Sequence, residues 1–470
     1  MIDTSIVRRL ESIAGAENVS AATSDRLTHS YDATMQEYLP DVVVYAENRE
    51  QVQQIVRLAH DNRIPILPRG AGSGFTGGSL PVQGGIVLVL TRMNAILSID
   101  SDNLTAVVQP GVVTADLQRA VEKQGLFYPP DPASKEFSTL GGNVAECAGG
   151  PRCVKYGVTK DFVLGLEVVT PQGEVIHTGG HTLKNVVGYD LTKLIVGSEG
   201  TLGVVTEITL KLLPKPEAKK TMLVQFETIE GAAAAVAEII RARIIPTTLE
   251  FMDGATIDCI RGTSAIELPP SCSAVLILEV DGDASVIEQQ ADKILAVIEP
   301  LGVVDVRVAE NHEESEEIWQ VRRNVSPNLR KVNPNKFNED IVVPRSKVPD
   351  MIRALEALAR EYGVAIVNFG HAGDGNIHVN VMVDLREEGM QQKVDEVMEK
   401  IFAAAIGLKG SISGEHGIGT SKARYLAMEL DAVTIGYMRA VKQAFDPRNI
   451  MNPGKIFFQP EEIPESTLVE

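Results

Sequence analysis

Cysteine is scarce in this chain of 470 residues, and none of the four cysteines forms a C-x-x-C pair. An iron–sulfur cluster held by cysteines at the usual spacing is therefore excluded within the chain. So few cysteines also argue against a disulfide scaffold and favour a reducing compartment. The four are Cys147, Cys153, Cys259 and Cys272.

Positive charge is also in deficit, because 44 Lys and Arg residues face 63 Asp and Glu residues, which gives a net charge of −19. This balance argues against a nucleic-acid or anionic-membrane surface, which needs clustered Lys and Arg. The strongest apolar run, Ile86–Leu90, has only the length of a strand, whereas a bilayer-spanning helix needs about 20 apolar residues. The N-terminus shows no apolar signal-peptide core. We therefore expect a cytoplasmic protein without a transmembrane segment.

The hydrophobic pattern predicts both strands and helices, with the helices more regular in the second half. The length allows two or three domains with substantial cores. Alternation of strands and helices usually indicates a parallel sheet, but a tight hairpin near residue 374 requires an antiparallel pair. The predicted fold class is therefore α+β. The predicted helices of the second half cover 230–242, 283–297, 311–323, 347–362 and 388–407.

A polar, proline-rich stretch at residues 214–220 is typical of a domain boundary. It separates a glycine-rich first half from the more regular second half. The acidic tail after Gln459 is expected to be a solvated end. The predicted domains are 1–217, 218–424 and a C-terminal helical segment, 425–470, that returns to the first domain.

Glycines are densest between Pro68 and Gly78, where three of them satisfy the pattern G-x-G-x-x-G. A dinucleotide fingerprint of the Rossmann type needs a helix directly after these glycines. Here residues 79–85 lack a helical pattern and a strand follows, so the Rossmann interpretation is rejected. The three glycines are Gly72, Gly74 and Gly77.

What remains is a loop with many positions free of side chains, and such a loop can curl into an anion-binding concavity. Arg69, Ser73 and Thr76 offer further donors for phosphate oxygens. The alternative is a flexible surface turn, which this density of glycine disfavours. Two more glycine-rich stretches, at 138–150 and 196–206, suggest one large phosphorylated ligand touched from several sides.

Two β-branched runs flank Asp374-Gly375, a strong signal for a two-residue hairpin turn. Such a turn would pair His371 with His378 on one face, with Cβ atoms about 5 Å apart, so that both imidazoles can share a metal. Glu415, in a glycine-flanked Glu-His pair, is a candidate third ligand. Two His and one carboxylate suit a catalytic divalent metal. The alternative is a pair of hydrogen-bonded histidines without metal.

Arg322 lies on a predicted helix that carries the only tryptophan of the chain. An Arg fork suits bidentate contact with a carboxylate. One turn back, the helix offers Ile318 and Trp319 and no acid to pair with it. From the residues alone, a solvated surface arginine remains the favoured interpretation.

Residues 68–81, 129–157 and 196–214, which contain the three glycine-rich stretches, together resemble the FAD-binding domain of the vanillyl-alcohol-oxidase/PCMH flavoproteins. Within that group the chain resembles the GlcD-type subgroup, which holds glycolate oxidase catalytic subunits, D-lactate dehydrogenases and D-2-hydroxyglutarate dehydrogenases. The resemblance implies a PCMH-type FAD-binding domain of two α+β subdomains, followed by a cap or substrate domain with an antiparallel sheet flanked by helices. The FAD pyrophosphate would lie on the loop 69–78.

Some relatives bind FAD covalently through a histidine just inside this loop. Ser73 or a glycine stands there in this chain, so the resemblance implies non-covalent FAD. The positions that the resemblance assigns to cofactor binding are Arg69, Gly70, Ala71, Gly72, Ser73, Gly74, Thr76, Gly77, Pro130, Asp131, Ser138, Thr139, Gly142, Asn143, Ala145, Gly149, Tyr156, Gly157, Glu199, Gly200, Gly203, Val205 and Asn452.

Residues 370–378 and 414–417 match the metal motif of the same family. The resemblance implies His371, His378 and Glu415 as ligands of one Zn²⁺, Mn²⁺ or Fe²⁺, with His416 as the catalytic base. It also implies that Arg322 binds the substrate carboxylate. Further positions near the substrate are Ser326, Lys336, Asn380 and His416, and the choice between Lys336 and Asn338 as second anchor stays open.

The implied activity is oxidation of a D-2-hydroxy acid of the D-lactate or glycolate class, with the C2 hydride passing to flavin N5. Electrons would then pass to an electron-transferring flavoprotein, an iron–sulfur subunit, a quinone or O₂. Cytoplasmic location, membrane association through a partner, and a homodimer are all compatible with the sequence. Two alternatives stay open: a flavin-containing subunit without its own hydroxy-acid turnover, and a flavin-free metallohydrolase that uses the His/His/Glu site.

Overall fold

The computed structural model describes residues 2–457, which form two compact units of mixed α and β structure. The α+β fold class predicted from the sequence is confirmed. The acidic tail expected after Gln459 lies outside the described residues. The first unit comprises the described residues of Met1–Gly149, Val158–Lys215 and Glu415–Glu470, and the second comprises Gly150–Gly157 and Pro216–Gly414.

Polar side chains cap the starts of several helices. Asn48 accepts a hydrogen bond from Gln51 N at 2.9 Å and Asn311 accepts one from Glu314 N at 3.0 Å, so each satisfies a backbone N–H that a helix start leaves unpaired. The five helices predicted in the second half are confirmed to within two residues at each end. The helices are α1 (Thr4–Ala14), α2 (Thr23–Thr28), α3 (Arg49–Asn62), α4 (Thr114–Glu122), α5 (Leu140–Glu146), α6 (Cys153–Tyr156), α7 (Thr159–Phe162), α8 (Leu191–Ile195), α9 (Ile229–Arg241), α10 (Gly254–Ile260), α11 (Ala284–Ile298), α12 (His312–Arg323), α13 (Val325–Leu329), α14 (Val348–Tyr362), α15 (Met390–Gly407), α16 (Leu426–Glu429) and α17 (Ala432–Phe445).

The first unit contains a four-stranded sheet, a five-stranded sheet and a short two-stranded pair. In the four-stranded sheet, of order β1-β2-β4-β3, only β1 runs antiparallel to its neighbour. The five-stranded sheet is antiparallel throughout, with the order β5-β6-β10-β8-β9. The strands are β1 (Val19–Ser20), β2 (Val42–Tyr45), β3 (Ile66–Arg69), β4 (Ile86–Val89), β5 (Ile96–Asp100), β6 (Thr105–Val108), β7 (Leu126–Phe127), β8 (Val163–Val169), β9 (Val175–Gly179), β10 (Val204–Lys211) and β11 (Leu213–Pro214).

Helix α3 packs its apolar face into the core beside the four-stranded sheet. Its buried positions follow the helical period, with Val52, Ile55, Val56 and Ala59 fully enclosed. The segment around Met451 joins the same core, because Ile66 N donates to Ile450 O and Asn452 N donates to Ile66 O, each at 2.8 Å. The C-terminal segment is therefore bound along β3, the strand that leads into the glycine loop.

The second unit is built on a seven-stranded sheet that is antiparallel throughout, with the order β15-β12-β14-β13-β17-β18-β16. Directly paired residues of an antiparallel sheet share a face. Glu250 pairs with His371, and His378 pairs with both Phe369 and Asp340, so these five side chains occupy one face. The strands are β12 (Ala218–Phe226), β13 (Thr248–Asp253), β14 (Ala274–Gly282), β15 (Val303–Val308), β16 (Asn335–Val342), β17 (Ala365–His371) and β18 (Asn376–Val383).

The hairpin between β17 and β18 has a longer turn than the sequence predicted. His371 pairs with Asn376, and Phe369 pairs with His378, so the predicted pairing of His371 with His378 is wrong. The cause is a wider loop, in which Gly375 N donates to His371 O at 3.0 Å and Gly375 adopts a φ of 90°. Because residues 369 and 371 face the same side of a strand, the two histidines still share a face, diagonally.

Among residues 2–457, no helix combines the length and the hydrophobicity that crossing a bilayer requires.

Candidate functional site

The glycine-rich loop after β3 leads into β4 without a helix, which confirms that the Rossmann fingerprint does not apply. Arg69, at the end of β3, is buried, and burial lowers the pKa of its guanidinium. Its Nη1 and Nη2 donate to the carbonyl oxygens of Ser79 and Tyr31 at 2.8 and 2.7 Å. Both terminal nitrogens are thus engaged within the protein, and the loop backbone is the main remaining source of donors.

The backbone of this loop presents a row of unpaired donors. The N–H groups of residues 70–74 and 76–78 donate to no acceptor among the residues that the structure describes. Gly72 and Gly77 adopt φ angles of 67° and 80°, which favour glycine. An ideal Cβ on Gly74 would meet no heavy atom within 4 Å, so the loop is open there. Successive free N–H groups of this kind form an anion-binding concavity.

The structure brings the three glycine-rich segments and Asn452 together in the first unit. An ideal Cβ on Gly70 would lie 2.3 Å from Thr139 Oγ1, so the first segment touches the second. Glu199 N donates to Ala145 O at 2.8 Å, which joins the second segment to the third. Asn452 Nδ2 donates to Glu199 O at 2.7 Å and to a carbonyl of the glycine loop at 2.9 Å.

Three other predicted cofactor positions form hydrogen bonds with Thr114 and Gln118, two residues that were not predicted from the sequence. Asn143 Nδ2 donates to Thr114 Oγ1 at 2.7 Å, and the Ser138 hydroxyl lies 3.0 Å from the same oxygen. Gln118 Nε2 donates to Pro130 O at 2.9 Å. The other predicted positions of the first unit lie along or beside the same segments and are Ala71, Ser73, Asp131, Gly142, Gly149, Gly200, Gly203 and Val205.

Two carboxylates, Glu146 and Glu199, lie beside the glycine loop. Both oxygens of Glu199 accept backbone N–H groups, from Ile418 at 2.8 Å and from Gly419 at 2.7 Å. Glu146 Oε2 is enclosed and has no partner among the described residues. An ideal Cβ on Gly417 would lie 2.6 Å from Glu146 Oε2 and 3.0 Å from Glu199 Oε1. Burial and the neighbouring charge of Glu199 raise the pKa of Glu146 well above its ordinary value.

The predicted base, His416, is attached to the glycine loop within the first unit. Its ring stacks on Phe75 with the ring centroids 5.2 Å apart and an angle of 26° between the planes. Thr76 Oγ1 donates to the carbonyl of His416 at 3.1 Å. Glu415 Oε1 lies 3.9 Å from His416 Nε2. The base candidate therefore belongs to the same unit as the predicted cofactor loop.

Tyr156 and Gly157, also predicted to bind the cofactor, belong to the second unit. The Tyr156 hydroxyl donates to the carboxylate of Asp281 at 3.0 Å, and Lys155 forms an ion pair with the same carboxylate. These contacts attach the short segment 150–157 to strand β14.

Glu250 connects two of the predicted site residues of the second unit. Its carboxylate on β13 accepts a hydrogen bond from His371 Nδ1 and one from Arg322 Nε, the latter at 2.9 Å. The guanidinium of Arg322 also stacks over the Phe369 ring at 4.2 Å from its centroid. The sequence offered no acid for Arg322 along its own helix, because this acid comes from a strand 72 residues away.

The imidazoles of His371 and His378 are arranged as two ligands of one metal would be. Their Nε2 atoms lie 3.4 Å apart, and the ring planes are nearly perpendicular at 87°. A tetrahedral ion with two Zn–N bonds of about 2.0–2.1 Å would place those nitrogens about 3.3–3.4 Å apart. Because Glu250 accepts from Nδ1 of His371, the ring lone pair of His371 is on Nε2, the atom that faces His378. The residues present therefore fit a divalent metal.

Asp340 is a buried acid of this face that the sequence analysis did not assign to the site. It is 0% exposed, and its Oδ1 lies 4.0 Å from His378 Nδ1. Its Oδ2 accepts the backbone N–H of Gly414 at 2.9 Å. Gly414 ends the second unit, and Glu415 is the next residue of the chain. Asp340 thus anchors the segment from which the predicted third ligand extends.

The polar residues predicted near the substrate lie on strands β16 and β18. Asn338 Nδ2 donates to Asn380 Oδ1 at 2.8 Å, and strand alternation puts Lys336 on the same face as this pair. Burial, together with the charge of Arg330, lowers the pKa of Lys336. Ser326, by contrast, is exposed on α13.

Two family models cover most of the chain. A model described as "FAD linked oxidases, C-terminal domain" matches residues 215–456, and one described as "FAD binding domain" matches residues 40–179. The chain belongs to the family of FAD-linked oxidases. It is therefore an FAD-linked oxidoreductase, and the resemblance to GlcD-type flavoproteins is confirmed.

Two relatives in sequence and one solved structure resemble this FAD-linked oxidase over nearly the whole chain. The chain is 47% identical to the glycolate oxidase subunit GlcD of Bacillus subtilis (strain 168), over 97% of each chain. It is 37% identical to a D-lactate dehydrogenase of Anaerostipes hadrus, over 93% of each chain. Among solved structures, p-cresol methylhydroxylase with substrate bound aligns with a TM-score of 0.81 and 19% identity, over 96% of each chain. At that identity the last match shows the fold alone.

The first unit of this oxidase fits FAD on its own geometry, because its glycine loop has unpaired N–H groups and the Oε2 atom of Glu146 has no partner among the described residues. Three acids of the two units, Glu146, Glu250 and Asp340, were not predicted as site residues. Glu250 and Asp340 have a weak signal, since each is an acid within or beside apolar strand residues. An acid at a core position of a strand indicates a buried partner, but it does not identify that partner.

Proposed function

We propose that this FAD-linked oxidase oxidises a small D-2-hydroxy acid, of the D-lactate or glycolate class, to the 2-oxo acid. The observation that carries the proposal is the pair of imidazole nitrogens 3.4 Å apart on the sheet face that also presents Arg322 over Phe369. A 2-hydroxy acid offers a hydroxyl and a carboxylate on adjacent carbons, which suits a metal beside a guanidinium. The names of the relatives, a glycolate oxidase subunit and a D-lactate dehydrogenase, support the same substrate class.

The metal would be held by His371, His378 and Glu415. When bound, it supplies a Lewis acid that lowers the pKa of the substrate hydroxyl. Glu250 and Asp340 would hold the ligand set in place, the first through Nδ1 of His371 and the second through the backbone of Gly414. The ligand set suits Zn²⁺, Mn²⁺ or Fe²⁺.

Arg322 would bind the substrate carboxylate, because its guanidinium lies over the Phe369 ring and its terminal nitrogens are unengaged among the described residues. Asn380 and Asn338 form a neutral, hydrogen-bonded pair beyond the histidines. This pair offers no charge to a second carboxylate, so a monocarboxylic substrate suits it better than a dicarboxylic one. Lys336 is the remaining candidate for a second anchor.

His416 would remove the hydroxyl proton, since a neutral imidazole is an effective general base at neutral pH. Phe75 would fix the plane of its ring. FAD, when bound, supplies the acceptor for the C2 hydride, so that the hydroxy acid loses two electrons and two protons and becomes the 2-oxo acid. The N–H groups of the glycine loop would hold the FAD pyrophosphate.

Gly74→Ala is expected to weaken FAD binding at least tenfold without lowering the stability of the flavin-free protein. The added methyl meets no protein atom within 4 Å, but it would occupy the space into which the phosphate must come to reach the loop N–H groups. A tenfold loss corresponds to about 1.4 kcal/mol. The measurement is the FAD dissociation constant of the apoprotein by fluorescence titration, together with its melting temperature.

The matched control is Gly436→Ala on α17, where an added Cβ also meets no atom within 4 Å. This control should bind FAD as the unaltered protein does. Wild-type FAD affinity in Gly74→Ala would show that the pyrophosphate does not use this part of the loop.

Electrons would leave reduced FAD through another molecule, because the chain has no cysteine spacing for an iron–sulfur cluster. One relative is named a subunit, which supports a protein acceptor such as an iron–sulfur subunit or an electron-transferring flavoprotein. A flavin-free metallohydrolase is disfavoured, since the FAD-binding domain model matches residues 40–179.

The deciding experiment is an anaerobic panel of D- and L-2-hydroxy acids added to the FAD-loaded protein. Bleaching of the flavin absorbance by D-lactate or glycolate is expected, and removal of the metal with a chelator should suppress it. Flavin that stays oxidised with every hydroxy acid, in metal-loaded protein, would instead indicate an electron-transfer subunit without its own hydroxy-acid turnover.

A further inference from the structure

Glu250 is a fully buried acid, 0% exposed, in the middle of strand β13. Its neighbours along the strand, Leu249, Phe251 and Met252, are all buried apolar residues. A charge at such a position is costly unless it is paired.

Each oxygen of this carboxylate serves a different residue of the proposed site. Oε1 accepts from His371 Nδ1, and Oε2 accepts from Arg322 Nε at 2.9 Å. His371 would bind the metal and Arg322 would bind the substrate carboxylate, so one side chain contacts both anchors. The stability of the strand does not require this charge, because an apolar residue could fill the same core position.

We propose that Glu250 is a positioning residue that fixes the metal ligand His371 and the carboxylate anchor Arg322 relative to each other. The proposal rests on the proposed function. Glu250 touches neither substrate nor flavin in this scheme, and it acts only through the two side chains that it holds.

On the histidine side, Glu250 selects the tautomer. A carboxylate can only accept, so His371 carries its proton on Nδ1 and presents the lone pair of Nε2 toward His378, 3.4 Å away. Carboxylates behind ligand histidines also make them more basic and better oriented ligands.

On the arginine side, Glu250 selects the binding edge. A guanidinium can hold a carboxylate either through Nε and one Nη or through both Nη atoms. Because Nε of Arg322 is engaged with Glu250, the side-on mode is closed. Phe369 packs against the guanidinium, 4.2 Å from Cζ to the ring centroid, and this ring lies 5.6 Å from the ring of His378. The substrate carboxylate must therefore bind through the Nη edge.

Glutamine cannot replace Glu250 in both contacts, because both partners are donors. The amide oxygen of Glu250→Gln can accept from one of them, but the amide NH₂ would then face the other donor. We expect the metal affinity of the FAD-loaded protein to fall 10- to 100-fold, as for other residues behind metal ligands. The KM for D-lactate should rise as well, since Arg322 is no longer held in one orientation.

The measurement is metal affinity by chelator competition, with KM, kcat and melting temperature determined on the same FAD-loaded samples. The matched control is Asp253→Asn, which also removes a buried carboxylate from β13. Asp253 accepts from Thr256 N and Asn368 Nδ2, both at 2.8 Å, and contacts neither His371 nor Arg322. The control should lose thermal stability while it keeps metal affinity and KM.

The proposal is overturned if Glu250→Gln loses stability like Asp253→Asn but keeps the metal affinity and KM of the unaltered protein. If the glutamine variant does not fold, Glu250→Asp replaces it in the same measurements. The shorter carboxylate cannot reach both partners, so metal affinity should again fall and KM should again rise. Failure of the proposed function would appear separately, as unaltered protein that binds no divalent metal or is not bleached by any hydroxy acid.

Discussion

His378→Ala is expected to remove the divalent metal from the protein and to lower the rate of flavin reduction by D-lactate about 10³-fold or more. The two imidazoles, whose Nε2 atoms lie 3.4 Å apart, are two of the three proposed ligands, so loss of one leaves too few ligands for tight binding. The Lewis acid is worth several kcal/mol of transition-state stabilisation, and each 1.36 kcal/mol is a factor of ten in rate. FAD should remain bound, because the glycine loop belongs to the first unit.

The measurement is metal content of the purified variant by elemental analysis, alongside anaerobic flavin bleaching in a stopped-flow instrument. His312→Ala is the matched control, since His312 is an exposed histidine at the start of α12 in the same unit. The control should keep both metal and rate. A His378→Ala protein that retains one equivalent of metal and reduces its flavin at the normal rate would rule out this histidine as a ligand.

His416→Ala is expected to lower the rate of flavin reduction by 10²- to 10⁴-fold, while both FAD and metal stay bound. Positioned general bases contribute a factor of about this size. The ring of His416 stacks on Phe75, and the backbone of His416 is held by Thr76 through its carbonyl oxygen. The alanine variant keeps that backbone contact, so the glycine loop should not be disturbed.

The readouts are the FAD and metal content of His416→Ala, its melting temperature and its rate of anaerobic bleaching by D-lactate. His181→Ala serves as control, because His181 is an exposed histidine of the first unit. Loss of FAD together with activity would indicate a structural role at the cofactor loop. Unchanged bleaching would exclude His416 as the base.

Local patterns were sufficient for the elements whose stability is local. Helices α9, α11, α12, α14 and α15 follow from apolar periodicity and polar caps, and the structure agrees to within two residues. The absence of a Rossmann helix after the glycine loop also follows from residues that are adjacent in sequence.

Strand pairing was harder to predict from the sequence, because a change in turn length shifts every residue pair of a hairpin. The Asp374-Gly375 signal predicted a two-residue turn, but Gly373 N donates to Leu249 O at 3.1 Å on a neighbouring strand, and the loop is wider. The observed pairing is shifted by two residues from the predicted one, and a shift of two residues leaves each side chain on the same side of its strand. For this reason the prediction that both histidines share a face is confirmed.

The sequence by itself, through four scattered cysteines and no cluster spacing, determined that this oxidase carries no cysteine-ligated iron–sulfur cluster of usual spacing. Its motifs also predicted the flavin loop and the two histidines. Only the tertiary structure decided which acids serve these groups. Glu250 reaches Arg322 and His371 across 72 and 121 residues of sequence, and Asp340 holds Gly414 across 74. Hydrogen bonds between segments that are distant in sequence leave no periodic trace in it, because they depend on sheet order, register and helix packing, and the whole fold sets all three.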